Sequence, residues 1–101
     1  MNVNTLLRTD EFDDWLRGLK DIRAKARIYN RLDGVIGGNF GDCKAVGDGV
    51  SEMRIHYGSG YRLYFSRRGS AVYLLLLGGD KSTQVKDIER AKSLLKSLPK
   101  E

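Results

Sequence analysis

Seven consecutive apolar residues, Ala71-Val-Tyr-Leu-Leu-Leu-Leu77, lie between Arg68-Gly69-Ser70 and Gly78-Gly79. A run of this length fits a strand and is far too short to span a bilayer. It lacks the alternation of a half-exposed strand, so it has to be central in a sheet or covered by helices. Any fold open to this chain must therefore supply neighbours for that segment. With 101 residues, one domain over 1–101 with a single core is expected, burying roughly two thirds of its unfolded surface.

The preceding sequence supplies those neighbours. Ser51–Tyr57 and Tyr61–Arg67 read as strands joined by Gly58-Ser59-Gly60, and Arg68-Gly69-Ser70 turns the second into the apolar run. The three make an antiparallel meander. Val3–Thr9 reads as a first strand, and Cys43–Val46 as a brief one inside a loop-rich stretch. Thr9 or Asp10 caps a helix through Lys20, with Asp10, Glu11, Asp13 and Asp14 at its positive end. Its apolar stripe is Phe12, Trp15, Leu16 and Leu19. A second helix, Asp21–Ile36, is expected to turn Ile22, Ala26, Tyr29, Leu32 and Ile36 inward and Arg23, Lys25, Arg27 and Arg31 outward. Gly37-Gly38 ends it. A last helix, capped by Ser82 or Thr83, is expected to bury Val85, Ile88, Leu95 and Leu98 and to stop at Pro99. The order predicts an α+β domain. A helical hairpin and a C-terminal helix pack on one face of a mainly antiparallel, twisted sheet of four to five strands.

Charge narrows the partners. The net charge is +5. Residues 1–50 hold eight Lys/Arg and eight Asp/Glu, whereas residues 51–101 hold ten and five, so the excess lies wholly in the second half. A basic half of this kind points to an acidic partner, nucleic acid or protein. Cys43, the sole cysteine, excludes an internal disulfide and a multi-cysteine zinc site. The N-terminal Met-Asn-Val-Asn-Thr has neither a basic region nor an apolar core, so no secretory signal is expected. A soluble cytoplasmic protein without membrane association follows as the expectation.

The chemistry concentrates in Met53-Arg-Ile-His-Tyr-Gly-Ser-Gly-Tyr-Arg-Leu-Tyr-Phe65. Alternation places Glu52, Arg54 and His56 on one face of the first strand, and Arg62, Tyr64 and Ser66 on one face of the next. Adjacent, these sets would form an open face of cations interleaved with aromatics, suited to RNA phosphates and bases. Gly78-Gly-Asp-Lys-Ser-Thr-Gln84 fails the nucleotide-loop pattern because Lys81 follows Asp80 and the loop is too short. A helix N-terminus beside Lys81 remains, and that suits a phosphate. His56 is the only histidine, which rules out two-histidine acid–base cleavage, and Asp80 and Asp87 stand amid lysines rather than in a Mg²⁺ cluster. Metal-free phosphate chemistry without a cofactor is expected, with Arg62, Lys81, Arg54 and His56 as its residues. Either His56 or Lys81 would be the base.

The element order, the Met53–Phe65 segment and Leu77-Gly-Gly-Asp-Lys-Ser-Thr-Gln84…Asp87-Ile88…Ala91 together resemble the RelE/ParE toxin superfamily. Within it the chain is most similar to the HigB-like branch of phage-derived addiction module killer proteins. The resemblance covers essentially the whole chain and implies a RelE-like fold in the toxin of a type II toxin–antitoxin module. Members of the RelE and HigB lines cleave mRNA in the ribosomal A site and are neutralised by a cognate antitoxin, in this branch a helix-turn-helix protein. ParE-type relatives share the fold but inhibit DNA gyrase without cutting nucleic acid. On the resemblance, the family arginine falls on Arg62, the basic position of the preceding strand on Arg54, and the basic residue after the last strand on Lys81. The chain departs from the pattern where Glu52 or Met53 replaces a strand lysine. It departs again where Gln84 and Asp87 stand in place of a tyrosine. Tyr57, Tyr61 and Tyr64, with Gln84, are the expected RNA contacts.

Overall fold

A computed structural model describes residues 3–99 of the chain. Met1, Asn2, Lys100 and Glu101 lie outside the described residues, and with them the parts of the single-domain and N-terminal expectations that fall there. The elements are β1 (Thr5–Arg8), α1 (Asp10–Gly18), α2 (Ile22–Ile36), β2 (Cys43–Gly47), β3 (Val50–Ile55), β4 (Tyr61–Gly69) and β5 (Val72–Asp80). A 3₁₀ turn, Lys81–Thr83, then leads into α3 (Gln84–Ser97). The sheet order is β1-β5-β4-β3-β2, with β1 parallel to β5 and every other pair antiparallel. The apolar run thus lies inside the sheet, one strand from its edge. No helix among the described residues is long and apolar enough to cross a membrane.

Local signals place the helices. The Thr9 hydroxyl accepts from the Phe12 amide at the start of α1 and donates to the Leu76 carbonyl, fixing the helix to β5. The Asp21 carboxylate accepts from the Arg23 and Ala24 amides and caps α2. Gly37 closes α2, followed by Gly38 at φ 94°.

Both faces of the sheet are covered, which corrects the expectation of helices on one face. Phe12, Leu16, Ile28, Leu32 and Val35 of α1 and α2 pack on Met53, Ile55, Leu63, Phe65 and Leu75. On the other side, Ala91 of α3 packs with Val50, Tyr64, Leu76 and Leu77. A register shift next to Tyr64, which pairs with Leu77 while Phe65 pairs with Leu75, sends Leu76 and Leu77 both toward α3. This is the effect of a β-bulge.

Three further corrections concern orientation. The inward stripe of α2 is Ala24, Ile28, Leu32 and Val35, while Ile22, Ala26, Tyr29 and Ile36 are exposed. Both stripes keep helical spacing through Leu32 and differ by a rotation of roughly 100°. The observed rotation lets Arg31 donate to the carbonyls of Arg54, Phe40 and Asp42, which ties the 39–42 loop to β3. In α3, Val85 is exposed and Ala91 is the buried contact. Strand β5 runs on through Gly78 and Gly79 to Asp80, whose carboxylate caps the 3₁₀ turn. Thr83 holds the N-cap position of α3 as expected but donates its hydroxyl to Asp87 instead of accepting from the helix.

Candidate functional site

The turn between β3 and β4 sets the site. Gly58 and Gly60 adopt φ of 57° and 78°, the left-handed region that glycine takes without strain. The turn brings Arg54 directly opposite Arg62 across the two strands. One Arg62 amino group donates to the Gly60 carbonyl at 2.8 Å, and the Lys81 amide donates to the Ser59 carbonyl. A methyl group built on Gly60 would lie 3.3 Å from the Arg62 guanidinium and 3.5 Å from Lys81 Cβ, so both side chains border this glycine. Lys81 is exposed and has no ion-pair partner among the described residues.

Arg54 and His56 are joined by a residue not singled out from the sequence. Asp42, in the loop before β2, holds Arg54 through one carboxylate oxygen at 2.9 Å and His56 Nε2 through the other at 2.6 Å. Its backbone carbonyl also accepts from the Arg54 amide. The hydrogen bond from His56, aided by Arg54, holds the Asp42 carboxyl below the usual carboxylate range. His56 lies just beyond the end of β3 with its ring mostly in solvent. When Nε2 faces the carboxylate, Nδ1 is left for an incoming group.

The face carrying Arg54 and Arg62 is not open sheet. Glu52 and Tyr64 are fully buried and Ser66 nearly so, because α3 lies across them. The Arg62 side chain is only 13% exposed, with Nε 3.7 Å from Glu52 Oε2. The Tyr64 hydroxyl donates to Glu52 at 3.2 Å, and the Gln84 amide donates to the same oxygen at 2.9 Å. Burial, and then the neighbouring Glu52 carboxylate, push the Tyr64 phenol far above its ordinary value, so it remains a donor.

The four expected catalytic residues therefore gather at one end of the sheet, in two pairs on adjacent strands and the turn beside them. The expected RNA contacts do not gather there. Tyr64 is inside, which corrects its placement on an open face. Gln84 is taken up by Glu52. Tyr57 and Tyr61 turn toward the helical hairpin, Tyr57 under the Arg27 guanidinium at 4.6 Å and Tyr61 edge-on to Trp15. A cleft of about 580 Å³ lies elsewhere, between α3 and the β2–β3 turn, lined by Asp48, Ser66, Arg68, Lys92 and Leu95.

In comparisons with known proteins, the structure of the E. coli toxin RelE, a double mutant in the free state, superposes with a TM-score of 0.69. The match covers 95% of this chain and 99% of that one. The chain has the RelE fold. Sequence identity across this RelE-fold pair is 16%, so the likeness concerns architecture. An uncharacterised protein of Haemophilus influenzae is 52% identical over 87 residues, which is 86% of this chain and 88% of the relative. The chain belongs to the same family as that protein. No family profile matches the sequence.

Proposed function

We propose that the chain is the toxin of a type II toxin–antitoxin module, acting as a metal-free, ribosome-dependent endoribonuclease that cleaves mRNA in the A site. The observation that carries this reading is the gathering of Arg54, His56, Arg62 and Lys81 around the β3–β4 turn of a RelE fold. The carboxylates near them, Asp42 and Glu52, are already occupied by cations, which suits chemistry done by cations rather than by a bound metal. The partners are the ribosome with its mRNA and a cognate helix-turn-helix antitoxin, and such a target places the protein in the cytoplasm.

The steps follow from the groups at hand. His56 Nδ1 takes the proton from a ribose 2′-hydroxyl, and Asp42 steadies the imidazolium that forms. The 2′-oxygen attacks the adjacent phosphorus. Arg62 and Arg54 stabilise the charge that develops on the phosphorane oxygens. The bond to the 5′-oxygen breaks, Lys81 supplies its proton, and a 2′,3′-cyclic phosphate remains. The ribosome holds the mRNA bent toward in-line geometry, which the small, turn-centred site does not itself impose.

Expression of the parent and Arg62→Ala in a bacterium tests the reading. Growth arrest with truncated transcripts and unbroken DNA, lost in the variant, is the expected result. Intact transcripts with gyrase-linked DNA breaks would sink it in favour of a ParE-like mode.

A further inference from the structure

Glu52, on β3 beside the two arginines, is completely buried. A carboxylate there is unfavourable unless cations and donors surround it. Glu52 has these partners: Tyr64 and Gln84 donate to Oε2, and the Arg62 guanidinium lies 3.7 Å from the same atom. Oε1 of Glu52 and Nε of Arg62 are both buried without a hydrogen-bond partner, so each keeps polar capacity that nothing else in the network takes up. Arg62 is thus held at two ends, by the Gly60 carbonyl at one amino group and by Glu52 beside Nε.

We infer that Glu52 is a positioning residue, aiming the Arg62 guanidinium at the scissile phosphate and tying it through Gln84 to the first turn of α3. The inference rests on the ribonuclease reading for its consequence, though the contact itself does not. Arg62 belongs to a nearly closed polar network rather than a flexible surface. Removing the charge of Glu52 leaves a buried guanidinium without its counter-ion, and the side chain turns away toward solvent. Tyr64→Phe removes one hydrogen bond but keeps that charge, so it leaves Arg62 in place.

The test has two readouts. In single-turnover cleavage on programmed ribosomes, Glu52→Gln should slow the reaction by roughly 10²-fold, the size of effect an ångström-scale misplacement produces. Ribosome affinity should be unchanged. Added to Arg62→Ala, Glu52→Gln should change the residual rate by no more than about twofold, because its effect passes through Arg62. Tyr64→Phe should stay close to the parent rate. Independent losses in the double variant, or equal losses from Tyr64→Phe and Glu52→Gln, would overturn the inference. The second readout is the ¹⁵N-edited Arg62 Nε–H resonance, assigned with Arg62→Lys. It should exchange slowly in the parent and rapidly in Glu52→Gln. An unaltered resonance refutes the contact whatever happens to RNA. A resonance that responds as expected, in a parent that cuts no mRNA, upholds the contact and removes the ribonuclease reading instead.

Discussion

Asp42 touches both Arg54 and His56, and its effect on stability has a definite pH window. Its folded pKa is depressed from the ordinary 3.8, first by the His56 hydrogen bond and then by Arg54. The contact therefore stabilises the fold fully above that value, and the stabilisation is lost as pH falls through the lower folded pKa. Asp42→Asn should melt below the parent at neutral pH, with the gap in Tm closing under acid conditions. A gap that is constant down to strongly acid pH would contradict the pairing. The same substitution should slow cleavage by about tenfold or more, since the imidazole loses its orienting carboxylate. Arg54, Arg62 and Lys81 were readable because strand alternation and the family resemblance both fall on consecutive sequence. Asp42 was not, since it reaches its partners only when the 39–42 loop folds back over twelve to fourteen residues. Glu52 was visible in the chain, but whether its face is wet or covered depends on α3, more than thirty residues away.

Among the elements, β5 carries the tightest packing through its two glycines. A Cβ on Gly78 would come within 2.3 Å of the Trp15 ring of α1, and one on Gly79 within 1.9 Å of the Asp87 carboxylate of α3. The pair lets one strand accept helices on both faces at the same level. Gly78→Ala should destabilise by about 1–3 kcal/mol, as overpacked positions do, measured by denaturant unfolding. The rotation of α2 gives a second check. Ile28→Ala should cost about 2–5 kcal/mol, whereas Ile22→Ser should fall within about 0.5 kcal/mol of the parent. Equal losses would mean that α2 buries the other stripe. Element order was plain in the sequence, because glycine turns and the apolar run punctuate it, whereas strand ends shifted by up to three residues, as at β5, which continues through its glycines to Asp80. Helix rotation was hidden, since two apolar stripes of the same period share α2. Coverage of the second sheet face was hidden too, because its polar residues alternate as an exposed face would.

At the scale of the whole molecule, the basic half of the chain supplies β4, the turn after β5 and α3, and the four proposed catalytic cations lie at one end of the sheet. Binding to programmed ribosomes should weaken steadily as salt rises, since phosphate contacts release counter-ions. Affinity that is indifferent to salt would argue for an apolar protein interface instead. The RelE architecture was anticipated by the element order together with the two motifs. What no strand-by-strand reading conveyed is that Arg54 and His56 share the Asp42 carboxylate and Arg62 faces the buried Glu52, while Lys81 has no ion-pair partner among the described residues. The central claim is that these cations cut ribosome-bound mRNA. Primer-extension mapping of a defined message, with purified protein on and off programmed ribosomes, measures it most directly. The account predicts a break at the A-site codon ending in a 2′,3′-cyclic phosphate, absent from free mRNA and slowed ~10²–10³-fold by Arg62→Ala. An uncut message with the parent protein, or equal cutting by both proteins, would contradict it.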